Sequence, residues 1–114
     1  MELERARRLV AAERCRIEEA LARLAADRRA DFEVRDQQPG EDGGAEVGDE
    51  ELEAGLTLEL RGQLEAVERA EARLAAGTYG RSVESGEPIP DERLEADPLA
   101  ERTVAEQSRY DRGL

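Results

Sequence analysis

The sequence predicts a mainly α-helical protein: a long antiparallel helical hairpin, or coiled coil, followed by a small C-terminal module and a short terminal helix. Three observations carry this reading. Within residues 1–30, Leu3, Val10, Ile17 and Leu24 recur seven apart, with Ala6, Ala20 and Leu21 filling the adjoining stripe between charged positions. A second stripe of Leu56, Leu60, Leu64, Val67 and Leu74, with Ala70 as a small filler, runs from about Asp49 to Ala76. After Gly77 the periodicity stops, and Gly80, Gly86, Pro88, Pro90 and Pro98 cut the chain into short segments.

The first stripe predicts a helix over residues 1–30, about 45 Å long at 1.5 Å per residue. From Arg35 to Gly48, Pro39, Gly40, Gly43 and Gly44 among several acids predict an exposed turn centred on 37–46. Phe32 and Val34 stand isolated at the tip end of the first helix, either capping the hairpin or exposed. The second helix is strong by pattern and weaker by propensity, because Gly55 and Gly62 each cost about 1 kcal/mol relative to Ala, and Glu71 falls near the seam. A solitary charged helix is marginal in water, so each helix is expected to bury the stripe of the other. The predicted layout is a hairpin over 1–76 with an acidic tip loop around 36–48, a compact module over 77–110 and a frayed tail over 111–114.

Within the module, Tyr79, Val83, Ile89, Leu94, Leu99 and Val104 are the core candidates. Pro90 followed by Asp91 and Glu92 suits the start of a short helix over 91–96, since proline lacks a donor the first turn does not need and acids meet the positive helix end. Asp97-Pro98 suits a second start running to about Arg109, with Leu99, Val104 and Tyr110 as its inward candidates.

Composition narrows the function. A chain of 114 residues with one Phe, two Tyr and no Trp has no room for a large catalytic core. No histidine is present to activate a serine, so the expected answer to the question of enzymatic activity is no. The net charge of −12 disfavours direct, sequence-specific nucleic-acid binding, which needs cationic surface to release counterions. No apolar stretch approaches membrane-helix length, and the N-terminus lacks an apolar export core, so a cytoplasmic protein without membrane contact is expected. Cys15 alone supports neither an internal disulfide nor a thiolate metal site, and the expected metal content is none. Charge is also segregated: residues 1–30 carry eight Arg against six acids, whereas 36–59 carry nine acids and no base. The acidic stretch reads either as a solvated turn or as a tip that approaches a metal ion or basic patch deep within a partner, since a narrow hairpin can enter a channel closed to a globular domain.

The run Gly77-Thr78-Tyr79-Gly80, then Ser82-Val83-Glu84-Ser85-Gly86-Glu87-Pro88-Ile89-Pro90, then Arg93-Leu94-Glu95-Ala96-Asp97-Pro98 resembles the C-terminal module of the DksA/TraR family. In that family the same frame holds a four-cysteine zinc finger, whose cysteine positions fall here on Ser82, Ser85, Thr103 and Glu106. The two-residue gap within each pair is kept and every thiolate is lost. Neutral hydroxyls are poor zinc ligands and a lone carboxylate does not hold a structural ion, so these four are expected to be vestigial positions in a zinc-free finger. Losing the metal removes folding energy, which apolar contacts are expected to replace.

The resemblance is strongest over 77–107 and consistent in layout over 1–76. It implies a non-enzymatic regulator whose partner is bacterial RNA polymerase. Family members lie in the polymerase secondary channel, push the coiled-coil tip toward the catalytic centre and alter promoter-complex lifetime in stress responses, often together with a guanosine tetraphosphate alarmone. The family's Asp-x-x-Asp-x-Ala tip motif is not cleanly reproduced. The residues at that height are Asp36, Glu41, Asp42 and Asp49, with Ala45 as a small neighbour, and Asp42 then Glu41 are the first choices because both lie in the predicted turn. Exposed arginines, namely Arg16, Arg23, Arg69 and Arg73, are the candidates for contacts at the channel mouth. Alarmone contacts are assigned to no residue, no cofactor is expected, and the expected state is a monomer rather than a dimer. The alternative is a degenerate homologue that uses its coiled coil for self-association or for binding another protein, without polymerase regulation.

Overall fold

The computed structural model describes the backbone of residues 1–37 and 47–113 and the side chains of residues 1–30 and 51–113. The helices among them are α1 (Leu3–Gln37), α2 (Val47–Ala76), α3 (Asp91–Ala96) and α4 (Val104–Asp111). The fold is mainly helical, with α1 and α2 forming a hairpin, and the only extended pairing among the described residues is an isolated antiparallel bridge between Arg81 and Pro88. No described helix is long and apolar enough to cross a membrane.

Helix α1 continues to Gln37, seven residues past the predicted end, so Phe32 and Val34 lie on a helical backbone rather than in a turn. Nothing between Arg29 and Gln37 breaks a helix, and the first residue that does, Pro39, disfavours helical geometry in the residue before it. At its other end α2 stops at Ala76 because Gly77 adopts φ +78°. The Gly77 amide donates to the Leu74 carbonyl at 3.3 Å and the Thr78 amide to the Arg73 carbonyl at 2.9 Å, the paired bonds of a Schellman cap.

The chain divides into two compact units, one made of Met1–Arg14 with Ala66–Leu114 and the other of Cys15–Glu65. In the first, Ala6, Val10, Val67 and Ala70 are buried on the long helices, while Ile89, Leu94 and Ala100 form a core cluster against which Met1 and Tyr79 pack. Leu3, predicted to open the first stripe, is 47% exposed. It stands in the first turn, where Met1 rather than Leu3 packs on the apolar cluster and the terminal ammonium pairs with Asp91 at 3.2 Å. Arg5 and Glu95 form a further ion pair within this unit. Glu71, which the pattern leaves near the seam, is matched by Arg14: the guanidinium donates to both carboxylate oxygens at 2.9 and 2.8 Å. That bond, against a smaller burial penalty, holds the Glu71 carboxyl below its usual range.

In the second unit Ile17 is fully buried, while Ala20, Leu21, Leu24, Leu60 and Leu64 are only half-buried and Leu56 is exposed. Arg16 donates to Gln63 at 3.1 Å, joining the two helices of this unit through polar groups.

Candidate functional site

The module after Gly77 is built from a tight turn, α3, a polar connector and α4. In the turn, the Ser82 amide donates to the Glu87 carbonyl at 2.8 Å, the Gly86 amide to the Ser82 carbonyl at 2.9 Å and the Ile89 amide to the Gly80 carbonyl at 2.7 Å. Gly80 and Gly86 take φ of +85° and +76°, which residues with a Cβ rarely adopt. This turn is tied to the connector by the Val83 amide, which donates to the Glu101 carbonyl at 2.9 Å.

The connector explains why α4 begins later than the sequence predicts. Residues 97–103 use their polar groups on neighbours instead of on a helix. The Asp97 amide closes α3 on the Arg93 carbonyl, the Leu99 amide donates to the Asp97 carboxylate at 3.1 Å, and Arg93 donates to the Arg102 carbonyl at 2.8 Å. Helix α4 therefore starts at Val104, where Thr103 is an N-cap in a capping box: Thr103 Oγ1 accepts from the Glu106 amide at 3.3 Å and Glu106 Oε1 accepts from the Thr103 amide at 2.9 Å.

These elements bring Ser82, Ser85, Thr103 and Glu106 together. Ser82 Oγ accepts from the Glu84 amide at 3.1 Å and from the Ser85 amide at 3.3 Å, and Ser85 Oγ accepts from the Glu87 amide at 3.2 Å. Ser82 and Glu106 are buried, 5% and 6% exposed. The Thr103 amide, donating to the Glu106 carboxylate at 2.9 Å, and then the Ser82 and Ser85 hydroxyls outweigh its burial and lower its pKa to about 2.

This donor set does not fit zinc. A structural zinc ion takes four ligands that each direct a lone pair at it, mostly thiolate or imidazole. Here one carboxylate stands among three hydroxyls, and no group of three or more His, Cys, Asp or Glu among the described residues is arranged to hold a metal.

The expected apolar replacement for the metal is only partly present. Ile89 and Leu94 are buried and Tyr79 and Leu99 half-buried, but Val83 and Val104 are 49% and 66% exposed. Tyr110, an inward candidate, is exposed too, with the Arg102 guanidinium 3.8 Å from its ring centroid. Tyr79 donates from its hydroxyl to the Pro98 carbonyl at 2.8 Å, and burial pushes its pKa up.

The channel-mouth arginines divide. Arg23 is 80% exposed, 3.9 Å from Glu19 one turn away, and Arg16 is exposed. Arg69 is half exposed, donating to both oxygens of Glu101 at 3.2 and 3.1 Å. Arg73 is not exposed: its side chain is 13% accessible and donates to Glu101 at 3.0 Å, so it is a strut of the first unit rather than surface. Burial pushes the Glu101 carboxyl up, and the hydrogen bond from Arg69 with the charges of Arg69, Arg73 and Arg102 overrides it, leaving the carboxyl below its usual range. Of the tip candidates, Asp36 lies in the last turn of α1 and Asp49 in the first turn of α2 by backbone, while Glu41, Asp42 and Ala45 fall outside the described residues.

Glu101 and the structural roles of Arg102 and Glu106 were not legible as separate charges. One signal was present for Glu106, since Thr103-Val104-Ala105-Glu106 has the spacing of a capping box. Glu101 has no such local mark, because its partners stand 28 and 32 residues away.

Residues 77–112 match the family model of the prokaryotic dksA/traR C4-type zinc finger. The chain is also similar to the solved structure of transcription factor DksA2 from Pseudomonas aeruginosa, at 26% identity over 92% of this chain and 84% of that one, with a TM-score of 0.58. Comparison with curated protein sequences found no match.

Proposed function

Because the chain belongs to the DksA/TraR family, we propose that it is a non-enzymatic transcription regulator that binds bacterial RNA polymerase and extends its hairpin tip into the secondary channel to modulate initiation. The observation that carries this reading is the joint one of a helical hairpin and a finger frame in one chain, similar to DksA2 over 92% of its length. The acting end is the acidic stretch, with Asp42 and Glu41 foremost and Asp36, Asp49 and Ala45 beside them. Arg16, Arg23 and Arg69, which is half exposed although paired with Glu101, remain the surface cations for the channel mouth, and Arg73 leaves that set because its side chain is only 13% accessible. In this reading the protein acts as a cytoplasmic monomer without zinc.

Co-migration of the purified protein with RNA polymerase core is the direct test. A complex at micromolar concentration is expected, with Asp42→Ala and Glu41→Ala still binding but losing the effect on promoter-complex lifetime. Absence of a complex overturns the proposal, and tip variants that regulate like the wild type overturn the tip assignment.

Self-association through the hairpin is the second reading, favoured by Leu52, Leu56 and Leu58, which are 63%, 40% and 70% exposed on α2. Sedimentation equilibrium separates the two, since a dimer that excludes polymerase supports only the second.

A further inference from the structure

We infer that the connector dipeptide Glu101-Arg102 is the joint that closes the module and fastens it to α2, supplying the cross-linking that a metal ion gives a four-cysteine finger. The Glu101 carboxylate accepts from Arg69 and Arg73 of α2, with Arg73 Nη1 at 3.0 Å. The Glu101 carbonyl accepts from the Val83 amide of the turn at 2.9 Å. On the next residue, the Arg102 guanidinium donates to Glu84 of the same turn at 2.9 Å and lies 3.8 Å from the ring centroid of Tyr110 in α4. The Arg102 carbonyl accepts from Arg93 of α3 at 2.8 Å. Both side chains and both carbonyls are therefore committed, and α2, the turn, α3 and α4 are each held by at least one of them.

The position of these contacts along the chain identifies what they replace. In the family frame the metal joins the pair at 82 and 85 to the pair at 103 and 106. Val83 and Glu84 are the two residues between Ser82 and Ser85, and Glu101 and Arg102 are the two immediately before Thr103. The same two segments are thus joined beside the substituted positions, by a backbone bond from Val83 to Glu101 and an ion pair from Arg102 to Glu84. A further pair of charges, absent from the metal scheme, carries the joint on to α2.

Burial decides which of these contacts carry weight. The side chains of Arg73, Glu101 and Arg102 are 13%, 18% and 18% accessible. A surface ion pair contributes little, whereas removing one member of a covered pair leaves the other charge uncompensated. Arg73 is the acute case, because its Nη2 is the buried side-chain nitrogen without a partner among the described residues. The Glu101 carboxylate is then the charge that holds this guanidinium in place. Apolar packing is thin beside the joint, since Val83 and Val104 face solvent.

The experiment follows melting and amide hydrogen exchange of the full chain. Glu101→Gln keeps the shape and strands Arg73, and is expected to lower the Tm by roughly 5–10 °C. Adding Arg73→Met to Glu101→Gln is expected to regain roughly half of that loss, because it removes the stranded charge. Arg102→Met is expected to lower the Tm by roughly 3–5 °C. In Glu101→Gln and in Arg102→Met the amides of Ser82, Val83 and Ile89 are expected to exchange roughly tenfold faster, while those of Ile17 to Leu24 in the other unit keep wild-type protection. EDTA is expected to leave the wild-type Tm unchanged. Should Glu101→Gln not fold, Arg102→Met and Glu84→Gln carry the comparison through the same exchange at Val83. An unchanged Tm in Glu101→Gln, additive losses in the double variant, wild-type exchange at Val83 in Arg102→Met, or a wild-type Tm that EDTA lowers would each overturn the proposal.

Discussion

The two compact units close by different means. The unit of residues 1–14 and 66–114 joins a small apolar cluster to directed polar contacts: the Arg14–Glu71 pair, the grip of Arg69 and Arg73 on Glu101, and the Thr103–Glu106 capping box. The unit of residues 15–65 relies on an apolar stripe in which, among the described residues, Ile17 alone is fully buried, while Leu52, Leu56 and Leu58 meet solvent. The same charged composition is therefore structural in one region and surface in the other. Burial decides the difference, because a charge counts toward stability only where a partner and a low dielectric coincide.

The largest effect that separates the units is expected at Leu94, 1% exposed in the cluster with Ile89 and Ala100. Leu94→Ala is expected to cost about 3 kcal/mol in urea unfolding, whereas Leu58→Ala in the other unit changes stability by under about 0.5 kcal/mol. Both tyrosines lie in the first unit, so tyrosine fluorescence follows it alone while circular dichroism is dominated by the long helices. Equal losses at the two positions would erase the contrast.

Acid is the next probe. The Thr103 amide and the Ser82 and Ser85 hydroxyls lower the Glu106 pKa from 4.5 to about 2 in the folded state. A depressed carboxylate contributes its stability above the unfolded value of about 4.5 and loses it as pH falls toward 2. Glu71 and Glu101 are shifted in the same direction. The tyrosine-monitored Tm is therefore expected to fall steeply between pH 4.5 and 2, and more shallowly in Glu106→Gln. Parallel curves for the two proteins would remove Glu106 from the account.

The smallest effect belongs to the Arg14–Glu71 pair, whose side chains are 32% and 41% exposed. A double-mutant cycle with Arg14→Ala and Glu71→Ala is expected to return about 0.5 kcal/mol, reduced by 1 M salt. A coupling several times larger would place this pair among the buried contacts of the unit.

Much of the fold was legible because helical periodicity is local. Val10 and Ile17, seven apart, are both buried, and α2 ends at the glycine that the pattern marks. The helical extension to Gln37 was missed because acids and glycines nearby suggested a turn before any residue required one. In the module, the sequence marked α3 through Pro90, Asp91 and Glu92, yet placed the start of α4 at Asp97-Pro98. Asp97 and Pro98 fit a helix start by local rules, but the Asp97 amide bonds the Arg93 carbonyl, the Asp97 carboxylate accepts from the Leu99 amide and the Pro98 carbonyl accepts from Tyr79. The residues of the finger frame were marked by the family resemblance, but the burial of Ser82 and Glu106 was not legible.

The sequence by itself determined the helical hairpin and the concentration of acid between residues 36 and 59, which follow from spacing and composition acting over a few residues, while its resemblance to the DksA/TraR family marked the four substituted positions of the finger frame. Only the tertiary structure decided which groups are covered and which charges have partners: that Glu101 holds Arg69 and Arg73, that Val83 and Val104 are left to solvent, and that Glu106 is buried. A lone carboxylate reads in sequence as one more surface acid. Glu106 differs because folding buries it with the Thr103 amide donating to its carboxylate, and since burial makes an unpaired carboxylate costly, that hydrogen bond helps to hold it ionised.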